Sequence, residues 1–123
     1  MGEGRSRLLV WNYTEAEKSR LDDILRQIGA PPAVTIEPGQ GRMKVGDIIE
    51  GKSPDGDPLV CDEKVILFHE IPHKGILFLM DFLKQTDLPR PIYAVVTEHS
   101  VQWPFHELLE HLIEERDRME GKP

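Results

Sequence analysis

A lone cysteine, Cys61, leaves no partner for a disulfide within the chain, and the expectation that follows is a reducing compartment, the cytoplasm. No apolar run approaches the roughly 20 residues of a membrane span. The opening MGEGRSRLL lacks the apolar core of a signal peptide, so neither insertion nor export by that route is expected. Basic residues are short as well: 15 Lys and Arg stand against 22 Asp and Glu, a formal charge of -7. That balance opposes adsorption to nucleic acid or anionic lipid, and Arg5, Arg7, Arg42 and Lys44 are too few and lack a stacking array of aromatics.

Catalytic signatures are missing too. A dinucleotide fingerprint needs glycines directly after the first strand, where Asn12-Tyr13-Thr14-Glu15 stands, and no cysteine occupies that first loop. Gly39-Gln40-Gly41 with Gly46 has neither the place nor the spacing of a phosphate cradle and reads as flexible punctuation. No catalytic residue, metal ligand or cofactor is assigned from the sequence.

What is present is a rhythm of short apolar runs, each followed by a turn and an amphipathic stretch. Leu8–Trp11, Val65–Phe68 and Ile92–Val96 are nearly pure apolar, as strands covered on both faces are, whereas Ala33-Val34-Thr35-Ile36 alternates like an edge strand. Thr14-Glu15-Ala16-Glu17 is a capping box opening a helix with Leu21, Ile24, Leu25 and Ile28 on one face, closed by Gly29 and Pro31-Pro32. A second long helix runs from Pro72 toward Asp87, and a third from Pro104 with Phe105, Leu108, Leu109, Leu112, Ile113 and Met119 inward.

These elements predict one α/β domain over residues 1–123, in three α/β/α layers, with a short, mostly parallel four-stranded sheet. Its order would be 2-1-3-4, a truncated flavodoxin-like arrangement. Residues 39–63 are an irregular Gly/Pro-rich connection. They admit either a short helix around Met43 to Glu50 or a hairpin of Asp47–Lys52 with Leu59–Cys61. The tail 120–123 is expected to fray.

In an open sheet of that order, ligands bind beyond the carboxyl ends of the strands. Asn12, Tyr13 and Thr14 follow the first strand, His69 and Glu70 the third, and Thr97, Glu98 and His99 the fourth. Together they form the candidate ligand-binding rim. Solvated loops that cap helices have the same composition without any ligand. His106 and His111, five apart on one helix, point about 140° away from each other and share no metal. A zinc site would need His69, Glu70, Glu98 and His99 to converge across two loops. Cys61 beside Asp62 and Glu63 reads as a small apolar residue, since those carboxylates oppose a thiolate.

On the helix after Pro72, Ile76, Leu79, Met80 and Leu83 form one apolar face, and Phe78 with Phe82 widen it beyond the usual stripe. Phe78 and Phe82 are therefore the candidate interface of a homodimer, the alternative being that the final helix or the glycine-rich loop covers them within the monomer. The leading functional expectation is a noncatalytic binding or regulatory module, with self-association as an open option. The alternative is a small enzyme or ligand-binding protein using the polar rim.

The stretch Tyr93-Ala94-Val95-Val96-Thr97 leading through Trp103-Pro104-Phe105-His106-Glu107-Leu108-Leu109 resembles the signature of a small bacterial family catalogued as domain of unknown function 3783. Thr97, Trp103, Phe105 and Glu107-Leu108-Leu109 carry the match, and Val10-Trp11-Asn12-Tyr13-Thr14-Glu15-Ala16-Glu17 is similar to that family's first strand exit. Glu98 and His99 depart from the pattern at the candidate rim. The resemblance implies a bacterial origin and no activity. Trp103 and Phe105 have a structural reading as a hydrophobic staple at a helix start.

Overall fold

The computed structural model describes residues 6–54 and 56–119, so the tail expected to fray lies outside the described residues. In chain order the elements are β1 (Arg7–Trp11), α1 (Glu15–Gln27), β2 (Ala33–Ile36), α2 (Val45–Ile49), β3 (Val65–His69), α3 (His73–Lys84), β4 (Ile92–Val95) and α4 (Phe105–Met119). Single 3-10 turns sit at Pro38–Gln40 and Ser100–Gln102. Among the described residues, no helix is long and apolar enough to cross a membrane. Among the described residues two compact units are formed, one from 6–35 with 63–95, the other from 36–54 and 56–62 with 96–119.

The first unit carries a four-stranded mixed sheet in the order β2-β1-β3-β4, the order expected of this small α/β fold. The central strands β1 and β3 are covered on both faces, and Leu8, Leu9, Val10, Val65 and Leu67 have no exposed surface; the third apolar run, β4, lies at the sheet edge and leaves Val95 50 % exposed, which corrects the expectation that it too is covered on both faces. α1 is opened by the complete capping box: the Thr14 hydroxyl accepts from the Glu17 amide, and the Glu17 carboxylate accepts from the Thr14 amide. Leu21 and Leu25 of α1 and Ile76, Leu79 and Leu83 of α3 pack into one cluster with Leu8, Val10, Ile66 and Phe68.

Strand direction departs from the flavodoxin-like arrangement at one step, which makes the sheet mixed. β3 and β4 are parallel, but β1 and β3 are antiparallel, with Arg7 opposite His69 and Trp11 opposite Val65. Continuous hydrophobicity reports burial on both faces and carries no information on direction. A parallel neighbour needs a crossover of a dozen or more residues, usually helical, and the link from β3 to its parallel neighbour β4 supplies one in the 12-residue α3.

In the second unit, residues 41–45 run antiparallel to 103–106. Val45 N–H donates to Trp103 O at 2.9 Å, Phe105 N–H to Met43 O at 2.8 Å and His106 N–H to Gly41 O at 2.8 Å. Of the two readings of 39–63, the helix is formed and the hairpin is not. Buried Gln40 holds this connection: its side-chain oxygen accepts from Glu37 N–H at 2.8 Å and its Nε2 donates to Lys52 O at 3.1 Å. Gly41 lies so close to Leu59 that a Cβ would collide with it, and a Cβ on Gly46 would press on Val101 at 3.2 Å. These glycines serve close packing of chain segments.

Candidate functional site

The antiparallel register divides the residues expected on one rim. Because Trp11 faces Val65, the loop leaving β1 meets the start of β3, where Lys64 sits; His69 and Glu70 lie at the opposite edge, beside the start of β1.

At the first edge the chain leaves β1 through Asn12, whose backbone is left-handed (φ 67°), a conformation asparagine tolerates better than most residues. Lys64 then ties three groups together. Its Nζ donates to Asn12 O at 2.7 Å, pairs with Glu17 Oε1 at 2.9 Å and stands 5.2 Å from the centre of the Tyr13 ring. The Thr14 amide and the Lys64 ammonium hold the Glu17 carboxyl below its ordinary range. Burial, with Tyr93 and Glu17 nearby, pushes the Tyr13 hydroxyl well above the usual phenol range, and burial raises Tyr93 too. At neutral pH Tyr13 is thus a neutral phenol. Sequence reasoning missed Lys64, because its approach to Asn12 exists only when β3 starts where β1 ends.

Two hollows flank Tyr13. One, between Leu21, Leu83, Leu88 and Tyr93, has about 10 Å³ of free space, room for no more than a single water. The other is an open depression of about 470 Å³ lined by Tyr13, Thr14, Glu15, Lys18, Ser19, Asp22 and Thr35. Lys18 and Asp22 in its wall neutralise each other at 2.9 Å.

At the opposite edge, His69 Nε2 lies 3.5 Å from the carboxylate of its neighbour Glu70, whose backbone is also left-handed (φ 53°). The Ser6 hydroxyl donates to Glu70 O at 2.6 Å, closing this turn. Thr97 is spent on backbone: its hydroxyl accepts from the amides of His99 and Ser100, and Thr97 N–H donates to the Ser100 hydroxyl at 2.9 Å. Glu98 and His99 are exposed on that turn. No three His, Cys, Asp or Glu residues among the described ones gather as a metal-binding group. Trp103 is half-buried with the edge of His111 against it at 5.6 Å, while Phe105 is fully buried at the start of α4.

The candidate interface lies on α3. Phe78 is 53 % exposed, Phe82 is half-buried with its ring 6.0 Å from that of Phe78, and Leu77 is also 53 % exposed. Leu77 carried no prediction; an exposed leucine on an amphipathic helix is ordinary, and only its position beside Phe78 makes a patch.

No curated protein and no solved structure matches the chain. From β3 through α4, residues 64–119 match the family model of a domain of unknown function, DUF3783.

Proposed function

We propose that this chain is a small noncatalytic binding module that works by self-association, with the outer face of α3 as its working surface. The observation that carries the reading is the exposure of Leu77 and Phe78 on a helix that already buries Ile76, Leu79 and Leu83. Burying such side chains removes apolar area from water at about 25 cal/mol per Å². Cytoplasmic location belongs to the same reading, since Cys61 has no disulfide partner. So does the bacterial origin that the resemblance implies. Sedimentation over a wide concentration range tests the proposal: the wild type should shift from monomer to dimer, and Phe78→Glu should stay monomeric with an unchanged melting temperature. A wild type monomeric throughout removes the reading.

The open depression beside Tyr13 and Thr14 favours a second reading, binding of a small polar ligand at the β1 exit. Under it His69, Glu70, Thr97, Glu98 and His99 serve turns and solvent. A thermal-shift screen of nucleotides, metals and metabolites tests this, since a ligand at 100 times its Kd adds about 2.7 kcal/mol. Shift changes on a hit should centre on Tyr13, Thr14, Lys18 and Asp22; changes confined to α3 would remove it.

A further inference from the structure

Resting on the self-association reading above, we propose that two copies of this chain pair through α3 in antiparallel, two-fold fashion, with Lys74 of each copy against Asp81 of the other and Leu77 and Phe78 at the centre. At about 100° per residue, Lys74, Leu77, Phe78 and Asp81 fall within roughly one 100° arc, on the side of the helix away from Ile76, Leu79 and Leu83. All four are exposed.

Their order along the helix is self-complementary. Lys74 and Asp81 are two turns apart, and the Leu77-Phe78 step lies midway between them. A two-fold axis through that midpoint exchanges Lys74 with Asp81 and Leu77 with Phe78, so one antiparallel contact forms two opposite-charge pairs around an apolar centre. A parallel contact would set Lys74 against Lys74 and Asp81 against Asp81.

Both charges are available for this. Neither Lys74 nor Asp81 forms an ion pair or a side-chain hydrogen bond among the described residues. On α1, by contrast, Lys18, Arg20, Asp22, Asp23 and Arg26 all have partners within the chain. Phe82, its ring against that of Phe78, extends the apolar centre along the flank. A contact of two single helices is at the small end of specific interfaces, which places the expected Kd in the range of about 10 μM to 1 mM.

Charge reversal tests the pairing by sedimentation at low salt, with melting temperature checked for every variant. Lys74→Glu and Asp81→Lys should each raise Kd roughly tenfold or more, because each sets like charges against each other. An equimolar mixture of the two variants should form a heterodimer tighter than either homodimer, and the double exchange should restore wild-type affinity. Wild-type dimers unaffected by either reversal would overturn the antiparallel pairing while leaving self-association standing. Single reversals that weaken the dimer with no recovery in the double exchange would overturn it equally. A wild type that stays monomeric up to about 1 mM, the weak end of this range, removes both the pairing and the reading beneath it.

Discussion

α1 and α3 are helices of similar length that bury residues in the same core cluster, yet their outer faces differ. α1 buries Leu21 and Leu25 and presents Lys18, Arg20, Asp22, Asp23 and Arg26, which find ion-pair partners within the chain. α3 buries Ile76, Leu79 and Leu83 and presents Leu77 and Phe78 between two unpaired charges. The monomer's core accounts for the inner stripe of each helix; the outer face of α3 exceeds what that core requires. Their amino ends differ as well. α1 begins with a capping box locked by Lys64, whereas α3 begins at Pro72 with no side-chain cap.

The largest effects are expected where the helices agree. Leu25→Ala on α1 and Leu79→Ala on α3, each at 2 % exposure, should lose about 2–5 kcal/mol by chemical denaturation, since each leaves a cavity. Leu109→Ala on α4, equally buried, should fall in the same range. Losses below about 1 kcal/mol at Leu25 and Leu79 would break the equivalence of the two inner faces.

The amino ends should separate the helices by a smaller amount. Thr14→Ala should cost about 1 kcal/mol, while Pro72→Ala, which removes no cap bond, should cost less than half of that. Equal losses at both would mean the capping box contributes little.

The pH dependence of the first helix sharpens the same contrast. Glu17 is held below its ordinary value of 4.5 in the folded chain by the Thr14 amide and Lys64. Its contribution is complete above that ordinary value and is lost as pH falls through the lowered one. Glu17→Gln should therefore be less stable than wild type at pH 7, and the gap should close in acid, as pH falls below the ordinary 4.5 and through the lowered value, as read by denaturation at several pH values. A gap that stays constant down to pH 2 would show that the carboxylate charge is not what stabilises the cap.

The smallest effect is expected on the outer face of α1. Lys18→Ala removes an i,i+4 pair with Asp22 and should change stability by no more than about 0.5 kcal/mol, with no effect on association. A change in oligomeric state there would move the interface from α3 to α1.

Much of this architecture is local and was legible before any coordinates. The Thr14 to Glu17 box, the stop at Gly29 and the proline-led starts of α3 and α4 each follow from a few neighbouring residues. Short-range geometry sets them: a hydroxyl three residues from a carboxylate, a glycine free to take φ +69°, a ring that cannot donate.

Strand direction, and with it the site, was settled only by the tertiary structure. An apolar run is the same read forward or backward against its neighbour, so the sequence carried the order of the strands but not the antiparallel register of β1 and β3. Asn12 and Tyr13 therefore meet Lys64 in place of His69 and Glu70. The sequence by itself determined which residues are apolar, where helices start and stop and which strands are central. Only the folded chain decided which polar residues meet, because hydrogen bonds and ion pairs depend on positions to within an ångström, whereas the apolar pattern that marks helix faces and strands is set by neighbouring residues.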